Sequence, residues 1–311
     1  MLSFVVPAYD EEESLLPFYK ELTRVAPKLS KNYEIVFVDD GSQDSTLQIL
    51  KDLEKKDKRI SVFSFQKNRG KAEALTFGFQ MANGDMIATL DADLQDRPEE
   101  IKKLMDKMDE GWDMVAGWRK FRKDTIAKRI FSKFFNFFVS TFWNFKFNDL
   151  NGGLKLYKSQ AAKSLKLYGG MQRFIPVLLH AEGFRITEIP ISHDDRKFGK
   201  SKYSPFKIVK EMPDMLTMLF LSRYSKRPLH FFGFIGGVIL FIGVIILIYL
   251  SIVHFQGHRI GQRPLLFLGM LLVLGGFQVL FTGFLADLFI SLNNGSNDGS
   301  NILLKYSSRA K

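Results

Sequence analysis

Three carboxylates cluster directly after a short apolar run in the first third of the chain. Met86–Leu90 has the composition of a buried strand, and the letters DADLQD follow it at positions 91–96. Carboxylates crowded at the end of a buried strand repel one another unless a positive charge lies among them. Oxygen ligands of this kind suit Mg²⁺ or Mn²⁺, and such ions often hold phosphate groups as well. The run therefore predicts a metal site, with Asp91 and Asp93 as ligands, in an enzyme that acts on a nucleotide-linked substrate.

Alternating strand-like and helix-like segments must position these carboxylates. The strand-like runs are Leu2–Val6, Glu34–Val38, Ile60–Phe65, Met86–Leu90 and Asp113–Gly117. The helix-like runs between them are Glu12–Val25, Ser45–Lys56, Lys71–Asn83 and Pro98–Met108. This alternation predicts an α/β fold with a doubly wound, mainly parallel sheet. Such sheets bind ligands at the carboxyl ends of their strands, which is where the aspartates lie.

Three further polar motifs lie near the ends of strands in this order. PAYDE occupies positions 7–11, DDGS positions 39–42 and NRGK positions 68–71. Taken alone, DDGS is equally consistent with a turn that caps a helix. Beside PAYDE and the later aspartates, it favours a carboxylate that binds a base or a ribose. Lys71 opens a helix, where backbone N–H groups and an ammonium form a phosphate site, although an ordinary basic cap has the same sequence.

Composition narrows the classes of function and partner. The chain has 311 residues, a formal net charge of +11 and no cysteine. Without cysteine there is no disulfide, no thiolate nucleophile and no zinc–thiolate site. The basic balance predicts an anionic partner, which would be nucleic acid, acidic lipid or a phosphorylated substrate. Nucleic acid is disfavoured, because no reader motif is present and the basic residues cluster near the apolar C-terminal region.

Two long apolar segments, residues 231–250 and 265–292, dominate that C-terminal region. Each reaches the roughly 20 residues that a membrane helix needs. Buried core helices are the alternative, but they seldom run so far without polar residues. Basic residues flank the pair, whereas the connecting loop carries only Arg259 and Arg263. The positive-inside rule therefore predicts a two-span membrane protein whose catalytic region and both termini are cytoplasmic.

The predicted organisation has four parts. They are a catalytic domain (residues 1–206), an amphipathic juxtamembrane segment (207–227), two transmembrane helices (228–292) and a flexible cytoplasmic tail (293–311). The tail is assigned from its polar Gly/Ser/Asn composition.

The motifs PAYDE, DDGS, NRGK and DADLQD together resemble those of family 2 glycosyltransferases with the nucleotide-diphospho-sugar (GT-A) fold. Residues 1–230 resemble in particular the polyprenyl-phosphate sugar transferases, such as dolichyl-phosphate mannose synthase and the bactoprenol glucosyltransferases. Asp10 departs from the family pattern, which usually has asparagine there, but it keeps a capping oxygen. The resemblance implies a metal-dependent, inverting transfer of a hexose. The donor would be a UDP- or GDP-hexose, and the acceptor a polyprenyl (dolichyl or undecaprenyl) phosphate used in cell-envelope biogenesis.

The resemblance also implies roles for individual residues. The implied donor-binding residues are Pro7, Tyr9, Glu11, Asp39, Asp40, Lys71, Asp91, Gln95 and Lys202. The residues implied in transfer and in binding the acceptor phosphate are Asp93, Arg119, Arg129, Ser132, Asp149 and Arg196. Arg196 and Lys202 belong to a basic loop whose Gly199 would allow it to close over the diphosphate. A basic segment adjoining acidic lipid is the alternative for this loop.

Asp149 bears on the choice of acceptor. A hydroxyl group of a glycolipid or cell-envelope polysaccharide needs a general base, and Asp149 is the first candidate. A lipid phosphate is already ionised near neutral pH and needs cations instead, which the basic residues from Arg119 to Arg129 supply. The phosphate acceptor is therefore favoured, with Asp149 orienting the sugar or the basic side chains. A plain turn carboxylate is the structural alternative.

Four further features of the sequence allow more than one interpretation. A non-catalytic, membrane-tethered sensor could also place paired aspartates at strand ends, but receiver-type domains are shorter and do not need the loop around Arg196. His193 is interpreted as a solvated loop histidine rather than as a third metal ligand. Asp287, inside the second span, is either functional or interfacial. The sequence leaves a homo-oligomer open.

Overall fold

A computed structural model describes residues 1–120, 147–194, 227–261 and 263–294. The chain divides into two compact units, residues 1–218 and residues 219–311. Arg129, Ser132, Arg196 and Lys202 lie outside the described residues. The predicted domain boundary at residues 206 and 207 and most of the predicted tail lie outside them as well, so these four residues and these boundaries stay predictions.

A single seven-stranded sheet forms the centre of the first unit. Its strands are β1 (Leu2–Ala8), β2 (Tyr33–Asp39), β3 (Ile60–Ser64), β4 (Met86–Thr89), β5 (Met114–Trp118), β6 (Lys155–Lys158) and β7 (Ile186–Pro190), in the order β3-β2-β1-β4-β6-β5-β7. Only β6 is antiparallel to its neighbours among the pairs of this sheet. The predicted α/β fold with a mainly parallel sheet is confirmed.

Helices cover this sheet between consecutive strands. They are α1 (Leu15–Leu29), α2 (Thr46–Lys56), α3 (Lys71–Met81), α4 (Ile101–Met108), α5 (Ser159–Ser164) and α6 (Ile175–Ala181). Alternate residues of β1 show why the layers form: Leu2, Phe4 and Val6 are fully buried in one continuous apolar core. Burial of each such side chain stabilises the fold by roughly 1.5–3 kcal/mol.

The strand register brings the predicted site loops to one edge. Ala8 of β1 pairs with Asp39 of β2, and Val5 of β1 pairs with Thr89 of β4. The chain order reverses direction between β1 and β4, and sheets of this kind bind ligands in the crevice at the carboxyl ends of the strands on either side of such a reversal. Lys155, the first residue of the antiparallel β6, pairs with Thr89 and therefore lies beside the same crevice.

Two long helices make up the described part of the second unit, α7 (Pro228–Phe255) and α8 (Pro264–Asn294). They pack backbone to backbone through glycines: a Cβ on Gly236 would lie 2.7 Å from the Gly276 carbonyl oxygen, and one on Gly243 would lie 2.8 Å from the Val273 nitrogen. Small residues permit such close approach in membrane helices.

The outer surfaces of this helix pair are apolar. The most apolar 18-residue stretch of each helix has a mean hydropathy of 2.9 and 2.2, respectively, and large side chains such as Phe255 and Leu274 are 88% and 70% exposed. A soluble protein rarely exposes so large an apolar surface. Both helices are long and apolar enough to cross a membrane.

Candidate active site

The loops that follow β1 and β2 interlock through reciprocal hydrogen bonds. The Asp10 nitrogen donates to the Ser42 hydroxyl (3.0 Å), and the Gln43 nitrogen donates to an Asp10 carboxylate oxygen (2.9 Å). Asp10 lies in the left-handed region (φ +51°), which aspartate tolerates better than most residues do. The Glu11 nitrogen donates to the Thr46 hydroxyl at 2.8 Å. These bonds fix the segment that carries Pro7 and Tyr9 against the segment that carries Asp39.

Asp39 is fully buried at the end of β2, and both of its carboxylate oxygens accept hydrogen bonds. One accepts from the Ser64 hydroxyl at 2.6 Å and the other from the Ser42 nitrogen at 3.1 Å. The carboxylate is held by one donor on β3 and one in the loop after β2, so its orientation is set before any ligand binds. Charged acceptors keep further lone pairs available after two such bonds.

Asp40 anchors the loop that begins α3. Its carboxylate accepts hydrogen bonds from the backbone nitrogens of Arg69 (2.7 Å) and Gly70 (2.9 Å). Burial raises the pKa of Asp40, and these backbone donors only partly offset that rise. Asp40 therefore fixes the backbone that leads into Lys71. A direct contact of Asp40 with a nucleotide-sugar donor stays a prediction.

Glu11 caps the start of α1. Its carboxylate accepts from the Ser14 hydroxyl at 2.6 Å, and its carbonyl accepts from the nitrogens of Ser14 and Leu15. A role of Glu11 in donor binding stays a prediction beside this capping role.

Lys71, the first residue of α3, forms an ion pair with Asp91. Burial raises the pKa of Asp91, but the charge and hydrogen bond of Lys71 outweigh it, so the pKa lies below its ordinary value. Asp91 is therefore ionised near neutral pH. Lys71 is 38% exposed at its side chain, and its helix begins at the crevice. An ammonium group placed in this way can reach an anionic ligand.

The turn after β4 brings a second carboxylate beside Asp91. A Cβ on Gly153 would lie 2.8 Å from Asp91 Oδ2 and 2.7 Å from Asp96 Oδ2, so both oxygens converge on the same point over this glycine. Asp93 is buried in the same turn, and its carboxylate accepts from the Gln95 nitrogen at 3.2 Å. Leu94 adopts the left-handed conformation (φ +59°), so the chain turns here and does not continue as a β-strand.

His193 is enclosed and is not a solvated loop residue. Its ring nitrogen Nδ1 lies 2.9 Å from Asp96 Oδ1, and the side chains of His193 and Asp96 are 12% and 4% exposed. The two residues also form an isolated antiparallel bridge. Arg97 makes a two-pronged contact with Asp194 (2.8 and 2.6 Å), so the segment that follows β7 is fastened to the aspartate turn. Periodicity of the sequence holds no signal for this long-range pairing.

Arg119 and Asp149 form a nearly buried, two-pronged ion pair. The guanidinium donates from Nε to Oδ2 (2.6 Å) and from a terminal nitrogen to Oδ1 (2.9 Å), and the side chains are 10% and 15% exposed. Burial raises the pKa of Asp149, but the hydrogen bonds and charge of Arg119 dominate, so the pKa lies below its ordinary value. Asp149 is thus an ionised carboxylate with both oxygens engaged.

Glu188 of β7 holds the loop that carries Asp149. Its carboxylate accepts from the nitrogens of Asn148 (2.6 Å) and Asp149 (3.1 Å). A Cβ on Gly152 would lie 2.7 Å from the Gly117 carbonyl oxygen, so the loop packs directly against the end of β5. The positions of Arg119 and Asp149 are therefore set by the sheet.

Lys155 is a buried cation that the sequence analysis did not identify. It is 5% exposed, and its ammonium donates to the Gly152 carbonyl. Burial, followed by repulsion from Lys71, lowers its pKa to about 8. Lysines are rarely buried, and the letters KLYK carry no local signal that marks this one as buried.

The carboxylate oxygens of this turn fit a divalent cation that is bound together with a phosphate. Asp91 and Asp96 converge, and Asp93 lies in the same turn. Within the described ranges, no three His, Cys, Asp or Glu side chains are already gathered as a metal cluster. Mg²⁺ and Mn²⁺ are commonly held by one or two carboxylates, with substrate phosphates supplying further oxygens. Asp91 and Asp93 as ligands stay a prediction, and the geometry adds Asp96 as a candidate.

A crevice at the β1/β4 switch point, lined by fixed carboxylates and lysines, is typical of enzymes that bind nucleotide-linked substrates. Residues 3–166 match the model of the family described as glycosyl transferase family 2. The chain belongs to glycosyltransferase family 2, as its motifs predicted.

Two curated relatives extend the match beyond residue 166. One is a dodecaprenyl-phosphate galacturonate synthase from Rhizobium johnstonii, 34% identical over 293 residues that cover 92% of this chain and 87% of the relative. The other is an undecaprenyl-phosphate 4-deoxy-4-formamido-L-arabinose transferase from Salmonella choleraesuis, 35% identical over 76% of this chain and 72% of the relative.

Solved structures support the fold. Glucosyl-3-phosphoglycerate synthase from Mycobacterium tuberculosis, in complex with phosphoglyceric acid, superposes with a TM-score of 0.54 at 19% identity, covering 72% of this chain and 79% of that one. The same enzyme in complex with Mn²⁺, UDP-glucose and phosphoglyceric acid superposes with a TM-score of 0.53 at 16% identity, with the same coverage. At this level of identity the likeness concerns the fold.

Proposed function

We propose that this protein is a membrane-bound, inverting glycosyltransferase that moves a hexose from a nucleotide-sugar to a polyprenyl phosphate. Both curated relatives are named as enzymes that act with a polyprenyl phosphate, and together they cover most of the chain. The two apolar helices would keep the enzyme at the bilayer, where such a lipid resides.

The donor would lie in the crevice between β1 and β4. Asp39, with Pro7 and Tyr9, would hold the base and ribose, while Lys71 would contact a phosphate oxygen at the N-terminus of α3. Asp91, Asp93 and Asp96, with Gln95 beside them, would hold Mg²⁺ or Mn²⁺. Such a metal ion, when bound, supplies positive charge that stabilises the departing nucleoside diphosphate.

The observation that carries the choice of acceptor is the engaged state of Asp149. Both of its oxygens face the Arg119 guanidinium, and its pKa lies below the ordinary value. A general base for a hydroxyl acceptor needs a pKa nearer the working pH. An ionised phosphate needs no such base, and it is attracted by positioned cations. Asp149 would therefore orient Arg119, with Arg129, Ser132 and Arg196 completing the proposed phosphate and diphosphate contacts.

The orientation in the membrane follows from the charge of the flanking segments. Basic residues precede α7 and follow α8, whereas the loop between the helices carries two. We place the catalytic unit and both termini on the cytoplasmic side on this ground.

Membranes that contain the protein should transfer label from one member of a panel of labelled UDP- and GDP-hexoses into an organic-extractable, mild-acid-labile lipid. A sugar phosphodiester of a polyprenol is acid-labile, so this property identifies the acceptor. Label that enters only polymer or acid-stable lipid would favour a hydroxyl acceptor and overturn the proposal. Membranes from cells that lack the protein provide the control.

Gly153→Ala should lower the rate of transfer about 100-fold, because the new methyl group would displace the oxygens of Asp91 and Asp96 that lie 2.8 and 2.7 Å from its position. Initial rates at saturating donor and metal measure the effect. Gly275→Ala is the matched control, since a Cβ there meets nothing within 4 Å. A rate for Gly153→Ala within threefold of the wild type would contradict the placement of the carboxylate pair.

A further inference from the structure

Lys155 carries a buried positive charge close to the carboxylates of the site. It lies at the start of β6, where it pairs with Thr89, two residues before Asp91. Its side chain is 5% exposed, and its ammonium donates to the Gly152 carbonyl. Burying an ammonium group costs several kcal/mol unless nearby anions and hydrogen bonds compensate. One carbonyl does not supply that compensation, so the neighbouring carboxylates must contribute.

A small cavity of about 20 Å³ brings the charges together. Lys71, Asp91 and Lys155 line it, with Gly152 and Gly153 forming another wall. Asp91 and Asp149 both attract the Lys155 ammonium, while Lys71 and Arg119 repel it. The interior of the site therefore holds a nearly balanced set of charges, and Lys155 is the member of that set that is most deeply enclosed.

The two lysines beside Asp91 differ in freedom. The Lys71 side chain is 38% exposed and begins a helix at the mouth of the crevice, so it can turn toward a ligand. Lys155 is buried on an inner strand of the sheet, so its side chain cannot turn out to solvent. If Lys71 moves to a phosphate oxygen, Lys155 stays near Asp91.

We propose that Lys155 is a positioning residue of the donor site, a fixed internal cation that balances the aspartates so that the crevice accepts an anionic diphosphate. The inference rests on the proposed function, because it presumes a nucleoside diphosphate donor. Lys155 acts through charge, without direct contact with the reacting atoms. Its presence weakens the attraction of the aspartates for a free divalent cation and strengthens the attraction for the diphosphate.

The full-length Lys155→Met variant tests this role through two binding constants that should move in opposite directions. Mn²⁺ alone, titrated against the purified protein, should bind about tenfold more tightly than to the wild type. UDP and GDP are titrated in parallel at saturating Mn²⁺. The nucleotide that the wild type binds should bind the variant about tenfold more weakly. Lys155→Arg should keep both constants within about threefold of the wild type, because it keeps the charge.

Lys158→Met is the matched control, since Lys158 lies on the same strand but is 47% exposed and pairs with Asp113 at the far side. It should change neither constant. Parallel weakening of Mn²⁺ and nucleotide in Lys155→Met, with a lowered thermal midpoint, would indicate a structural role alone and overturn the proposal. Unchanged constants would overturn it as well. The binding constants can shift as expected while membranes that contain the wild type label no acid-labile lipid. In that case the role of Lys155 stands and only the proposed acceptor fails.

Discussion

Asp91→Asn should lower the rate of hexose transfer on the order of 1,000-fold. Asp91 lies where Lys71, Asp96 and Gly153 meet, and it is the carboxylate that pairs with the partly exposed Lys71. An amide keeps the shape of the side chain but removes the charge, so it holds a divalent cation poorly and releases Lys71 from its partner. Several kcal/mol of stabilisation of the departing diphosphate are then lost, at about 1.4 kcal/mol for each tenfold in rate. Initial rates with purified protein in buffer containing Mn²⁺ measure the loss.

Asp93→Asn should behave in the same way, because Asp93 is buried in the same turn. Asp85→Asn is the matched control: Asp85 directly precedes β4, its side chain is 88% exposed, and it pairs with the chain N-terminus. Its rate should stay within about twofold, since exposed ion pairs contribute little. Undiminished turnover by folded Asp91→Asn protein would refute the metal site. Removal of metal from the wild type with EDTA should mimic the Asp91→Asn variant.

Local sequence patterns were sufficient for the first half of the catalytic unit. Strands β1 to β5 and the helices between them follow from alternating apolar runs and from punctuation by Gly, Asn and Pro, because each of these units is built from neighbouring residues. The parallel order then places PAYDE, DDGS and DADLQD at one edge by geometry alone. That Asp39 and Asp91 lie at the carboxyl ends of parallel strands of one sheet could therefore be anticipated.

Features that depend on long-range pairing could not be anticipated. Strand β6 runs antiparallel between β4 and β5, and its four residues begin and end with lysine. Nothing local indicates that Lys155 is buried while Lys158 is exposed, since that difference arises from the neighbours of each strand position. The contact of Asp96 with His193 joins segments 97 residues apart. The close approach of the Asp91 and Asp96 carboxylates to Gly153 is likewise visible only in three dimensions.

Removing either partner of the Arg119–Asp149 pair should reduce both stability and transfer. Arg119→Met or Asp149→Asn alone leaves one nearly buried charge without its partner, and this destabilises a protein by about 3–5 kcal/mol. Transfer should fall on the order of 1,000-fold in either variant, because the guanidinium is lost or loses its orientation. Urea unfolding followed by tryptophan emission measures the stability, and labelled lipid product measures the transfer.

The double variant Arg119→Met with Asp149→Asn separates the two effects. Both charges are then absent, and the amide keeps one oxygen, which can accept from one of the two backbone nitrogens, of Arg119 or of Asn151, that now reach different oxygens of Asp149 at 3.3 and 3.2 Å. Replacing a buried ion pair by neutral groups is often close to neutral for stability, so most of the lost stability should return. Transfer should stay at least 100-fold below the wild type, because no cation is presented to the acceptor phosphate. Recovery of transfer together with stability would mean that the pair only supports the fold, and a hydroxyl acceptor served by another base would then become the better explanation.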